Sequence, residues 1–104
     1  MKTILLSLAI VLLLSDTAGA GALFGRIIDD NGRPVAKSAI AIEGANTVTN
    51  EFGGYRVVLP DGERELAVTI NNVSYVSERI GIYSPETKQN WRIDYKTRRL
   101  LKIR

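Results

Sequence analysis

The sequence predicts an all-β chain: a seven- to eight-stranded antiparallel β-sandwich that follows a cleaved amino-terminal signal helix. Three observations carry this. Beyond residue 22 the apolar residues fall in short runs, several of them alternating with polar residues, and no 3.6-residue helical period is present. Turn signals made of Asn, Asp, Gly and Pro separate these runs about every 8 to 12 residues. The one long apolar run, Ile4 to Leu14, ends at Ser15 and Asp16, well short of the roughly 20 residues needed to span a bilayer.

That apolar run follows Lys2 and precedes the small residues Ala18-Gly19-Ala20, which have the A-x-A form of a signal-peptidase site. The expected cut follows Ala20, with Ala20-Gly21-Ala22 as a second register, so residues 1–20 read as a signal peptide and 21–104 as one domain. With no Cys in the chain, the cut site offers no thiol for lipid attachment, and the processed protein is expected not to be an integral membrane protein. Small secreted eukaryotic domains commonly rely on disulfides, which this chain cannot form, so a bacterial periplasmic or secreted protein is the expectation. The sequon Asn72-Val73-Ser74 is read as coincidental.

Within the domain, Leu23 to Asp29 forms the first strand, closed by Asp30-Asn31-Gly32-Arg33-Pro34, where Asn-Gly favours a tight turn and Pro34 ends pairing. Ser38 to Ile42 and Thr47 to Thr49 follow, and Asn50-Glu51-Phe52-Gly53-Gly54 turns the chain into Tyr55 to Leu59. After Pro60-Asp61-Gly62 comes Glu65 to Ile70, with Leu66, Val68 and Ile70 on one face in the two-residue period of a half-buried strand. Tyr75 to Ile82 and Asn90 to Tyr95 are strands on either side of Ser84-Pro85-Glu86, and Leu100 to Ile103 adds the last. The expected core is Ile27, Val35, Ile40, Ile42, Tyr55, Val57, Leu59, Leu66, Val68, Ile70, Tyr75, Ile80 and Ile82.

Gly25-x-Ile27-x-Asp29-x-x-Gly32-x-Pro34-Val35 is followed by Ala39-x-Ala41-Ile42-x-Gly44, then Thr49-x-x-x-Gly53-Gly54-Tyr55-x-Val57-x-Leu59-Pro60-x-Gly62, then Leu66-x-Val68 and Tyr75. This ordered series resembles the carboxypeptidase regulatory-like domains, whose sandwich is transthyretin-like (prealbumin-like). The resemblance implies an accessory module: such domains sit beside the zinc domain of metallocarboxypeptidases, at the amino end of TonB-dependent receptors, or stand free as secreted modules. It implies no peptidase activity. Ser74, Asn50 and Phe52 depart from the family's usual Gly, Asp and Asn, which weakens any carboxylate-lined ion site in that loop. Related folds include starch-binding-like domains, so a carbohydrate-binding module is the alternative.

Composition narrows the chemistry. The chain has no His and no Cys, so it holds no Ser-His-Asp or Cys-His nucleophile and none of the nitrogen or sulfur ligands favoured by zinc, copper or haem. A non-enzymatic module without cofactor or metal is expected. Asp29, Asp30 and Asn31 read as a turn, since the spacing misses the calcium-loop pattern. Glu63 and Glu65 flank a turn around Arg64 and read as a solvated strand end rather than the carboxylate pair of a glycosidase. Trp91, with Tyr83 and Tyr95 near it in sequence, would stack on sugars if exposed; its expected place is the core. Arg92, Lys96, Arg98, Arg99, Lys102 and Arg104 face a single acidic residue, Asp94, at the carboxyl end. The candidate binding residues are therefore Trp91, Arg92, Lys96, Arg98, Arg99 and Lys102, with an envelope protein, an anionic surface or a glycan as the expected partner; nucleic acid is not expected, since an exported chain seldom meets it and no recognised binding motif is present. The competing reading is that these cations only guard a sheet edge against unwanted pairing.

Overall fold

The computed structural model describes residues 20–104; of the expected signal peptide, residues 1–19 lie outside the described residues. The all-β expectation holds. The strands are β1 (Ala20–Ile28), β2 (Ala39–Ile42), β3 (Ala45–Val48), β4 (Gly54–Pro60), β5 (Gly62–Arg64), β6 (Leu66–Ile70), β7 (Val73–Ser77), β8 (Ile80–Ile82), β9 (Glu86–Lys88), β10 (Asn90–Asp94) and β11 (Arg99–Ile103). Eight of them run in the order β3-β2-β6-β7-β11-β10-β1-β4 in one curled sheet, β9 joins it on β1, and β5 pairs with β8 in a separate ribbon. The curl brings the two ends of the order together, where the Thr47 hydroxyl donates to the Arg56 carbonyl at 3.3 Å.

Three details differ from the sequence expectation. Among the described residues there are eleven strands rather than seven or eight, because the short segments Gly62–Arg64 and Glu86–Lys88, which begin on residues read as turns, find partners in β8 and β1. Pairing is mixed rather than antiparallel: β1 runs parallel to β9 and β10, and β11 parallel to β7. Alternation fixes which residues face inward but carries no information on which strand will lie alongside. The expected strand Tyr75 to Ile82 is also split. Ser77, itself buried, accepts the Leu66 N–H on its Oγ at 2.9 Å and donates to the Glu78 carbonyl at 2.8 Å, and beyond this the chain leaves β6 and β11 to pair with β5.

The core forms where the alternation placed it. In β4, Tyr55, Val57 and Leu59 are buried while Arg56 and Val58 are exposed. Every expected core residue is buried except Ile70, which is half-buried and packs against the cluster; Leu23, Trp91, Ile93 and Leu100 complete it. Fully burying a side chain such as Leu23 contributes about 1.5–3 kcal/mol, so this cluster is the main source of stability in a domain without disulfides.

One crossing locks β1 between β4 and β10. Gly25 stands opposite Tyr55 on β4 and beside Gln89 between β9 and β10. The Gln89 carbonyl accepts from the Tyr55 hydroxyl at 2.7 Å, and that hydroxyl in turn accepts from the Trp91 indole Nε1–H at 3.0 Å. A Cβ on Gly25 would collide with the Gln89 carbonyl, which is why glycine stands there. Burial pushes the Tyr55 phenol well above the ordinary tyrosine range, partly offset by the bond from Trp91.

Candidate binding face

The outer face of β4, β1, β9, β10 and β11 is assembled by register. On β1, Phe24, Arg26 and Ile28 point away from the core side occupied by Leu23 and Ile27. Ile28 aligns with Arg92, and Arg92 with Leu101. Arg26 aligns with Gly54, and its backbone N–H donates to Asn90 Oδ1 at 3.0 Å. Phe24 aligns with Arg56 on one side and Lys88 on the other, and Asp94 aligns with Arg99. Arg26, Arg56, Lys88, Arg92 and Arg99 therefore share one side, with Glu86 and Asp94 as its acidic residues. From the row of Arg99 to that of Val58 the face runs about 27 Å, and it is about 14 Å across, at standard strand rise and spacing.

Charge on the rest of the described chain balances. Outside this face, Arg33, Lys37, Arg64, Arg79, Lys96, Arg98, Lys102 and Arg104 are matched in number by Asp29, Asp30, Glu43, Glu51, Asp61, Glu63, Glu65 and Glu78, so the excess of +3 resides on the face. The ion pairs among the described residues, Arg79–Glu43 at 3.7 Å and Lys102–Glu78 at 3.9 Å, both lie off it. Arg26 is steadied by a different contact, its Nε donating to the Phe52 carbonyl at 2.9 Å. The Thr97 hydroxyl, donating to Asp94 Oδ2 at 2.8 Å, holds the Asp94 carboxyl below the ordinary carboxylate range, so this acid stays charged on the face.

The sequence-selected residues are dispersed. Arg92 and Arg99 lie on the basic face, Lys96 and Arg98 are exposed in the turn between β10 and β11, and Lys102 faces Glu78. Trp91 is completely buried and bonded to Tyr55, so it is a core residue and offers no stacking surface. Nor do the tyrosines form a platform with it. Tyr83 covers Gly81 and Gly21 at one end of the sheet, whereas Tyr95 meets the buried Tyr75 edge-on at 5.5 Å at the other. Asp29 serves its turn: its Oδ1 accepts the N–H groups of Asn31 and Arg33, each at 2.9 Å. Asn50 does the same in the next loop, accepting from Phe52 and Gly54 at 2.9 and 2.8 Å. Glu63 and Glu65 are both exposed, and the Glu63 carbonyl is held by Arg79.

The sequence reading missed Arg26 and Arg56, which are far from the carboxyl end along the chain, and Lys88, four residues before the basic segment that opens at Arg92. The alternation Phe24-Arg26-Ile28 and the pair Arg56, Val58 marked them as outward-facing; their convergence with Arg92 depends on strand pairing. Two open troughs border the face. One, of about 470 Å³, runs past Phe24, Val48, Asn50 and Arg56; the other, of about 330 Å³, runs past Asp30, Arg92, Lys96 and Leu101.

Comparison with protein-family models and with curated proteins finds no match.

Proposed function

We propose that the chain is an exported, non-enzymatic β-module of the bacterial envelope, an accessory component that holds an anionic partner against its basic outer face. The observation that carries the reading is the gathering of Arg26, Arg56, Lys88, Arg92 and Arg99 from five strands onto one side that holds the whole charge excess of the described residues. Edge protection accounts poorly for it, because β1 and β10 are interior strands paired on both sides. The resemblance of the Gly25 to Tyr75 series to carboxypeptidase regulatory-like domains agrees with an accessory role, as does the lack of His and Cys. A sugar-stacking role loses its main support with Trp91 in the core.

The test is fractionation of cells expressing the full chain. The wild type is expected to co-fractionate with the envelope, and R26E/R56E/R92E to move to the soluble exported fraction with its melting transition retained. A control reversal off the face, R33E/K37E, should behave as wild type. If the triple variant stays with the envelope, the face is not the contact.

A further inference from the structure

We infer that the anionic partner is a lipid bilayer surface, bound with the sheet face lying on the headgroups; this rests on the reading of the basic face given above. Charge alone would suit any polyanion. What selects a bilayer is the apolar material among and beside the cations. Val58 is 62% exposed and lies on the face beside Arg56; Val48 and Phe52, 59% and 68% exposed, stand along its β4 border, and Leu101, 40% exposed, is paired with Arg92. The trough past Phe24, Val48 and Arg56 brings an apolar wall and a guanidinium to the same opening.

A soluble acidic chain would pair with the guanidinium groups and leave these side chains in water. An anionic bilayer satisfies both. Its phosphates meet Arg26, Arg56, Lys88, Arg92 and Arg99, while Val58, Val48 and Phe52 enter the boundary between headgroups and acyl chains. The long stems of the arginines allow their charged ends to stay at phosphate level as the apolar side chains sink. Because the remainder of the described chain is balanced in charge, the field of the protein points from this face and orients it toward the membrane before contact. Among the described residues no helix is long and apolar enough to cross a membrane, so the contact proposed is with the surface.

The test uses the processed protein from the exported fraction and extruded vesicles, either phosphatidylglycerol mixed with phosphatidylcholine or phosphatidylcholine alone, at about 0.1 M salt. Immobilised polyglutamate serves as a lipid-free polyanion. Wild type is expected to sediment with the anionic vesicles and not with the neutral ones. Neutralising three cations in R26Q/R56Q/R92Q should lower the partition coefficient about 100-fold, from about fivefold for each cation near an anionic surface. V48S/F52S/V58S, which keeps every charge, should lower it about tenfold or more and leave retention on polyglutamate unchanged. Trp91 emission and the melting transition confirm that each variant is folded. Vesicle binding unaffected in the serine variant would overturn the inference. Retention on polyglutamate without binding to anionic vesicles would also overturn it, while sparing the anionic-partner reading; loss of both would remove the two together.

Discussion

Replacing Tyr55 with Phe removes one oxygen and tests the lock that holds β1 between β4 and β10. That oxygen donates to the Gln89 carbonyl at 2.7 Å and accepts from Trp91 Nε1 at 3.0 Å, and Trp91 is fully buried. The orphaned indole N–H costs about 1–3 kcal/mol and the lost bond to Gln89 about 1 more, so Y55F should be destabilised by about 2–4 kcal/mol. At about 4–8 °C per kcal/mol for a domain of this size, the melting temperature should fall by about 8–32 °C. Urea unfolding followed by the emission of Trp91, the single tryptophan, measures the loss at pH 7. The same pair of proteins gives a second readout. Burial raises the folded-state pKa of Tyr55 above its unfolded value near 10. Below pH 10 the phenol is neutral in both states and its contribution is fully present; above pH 10 the unfolded chain ionises first, and stability falls as pH rises toward the folded pKa. The advantage of wild type over Y55F should therefore shrink by about 1.4 kcal/mol per pH unit above 10. A cost below about 0.5 kcal/mol at pH 7, or a difference that does not change with alkaline pH, would refute the assignment of Tyr55 as a buried, doubly bonded phenol.

Two further outcomes follow from the backbone. G25A and G32A should differ sharply: an added Cβ at Gly25 meets the Gln89 carbonyl, so G25A should cost more than about 3 kcal/mol or fail to fold, whereas Gly32 has open space and a φ of 82°, so G32A should cost about 1–2 kcal/mol in chemical denaturation. Equal costs would mean that the crossing at Gly25 is looser than described. The mature amino terminus should be Gly21, because a cut after Ala22 would remove Gly21 and Ala22 from their register with Leu59 and Val58 and lose the Ala22 N–H bond to the Pro85 carbonyl. Intact-mass measurement on the exported protein decides this, and a chain beginning at Leu23 would contradict it.

Much of the fold was legible because it is written in nearest-neighbour terms. The alternation of Tyr55, Val57 and Leu59 with Arg56 and Val58, or of Trp91 and Ile93 with Arg92, states which side is wet irrespective of partner. Turns were legible for the same reason: Asp29 and Asn50 hold their loops through N–H groups two and four residues ahead. What escaped is pairwise and long-range. Parallel pairing of Ile27 with Trp91 leaves no mark in either segment, so the basic face could not be read from the chain, and the local charge count drew attention to the carboxyl end instead. Gly25 was legible as part of a pattern, but its reason, the Gln89 carbonyl, lies in another strand. Lys102 illustrates the opposite error, a cation counted with its sequence neighbours and then found facing Glu78.

The place of β1 in the sheet has a bearing on when the protein acquires its shape. As the first strand of the described chain it lies inside the sheet, one place from its β4 edge, and its neighbours on the other side, β9 and β10, come late; the Arg26 N–H finds its acceptor on Asn90, 64 residues later. During synthesis, then, β1 has only β4 to rest on until the chain is nearly finished, and the sheet cannot close before β9 and β10 arrive. Long-range parallel closure of this kind is intrinsically slow. A chain that stays open until its final strands appear suits the export proposed above, in which it would thread a channel as an extended polymer and fold on the far side.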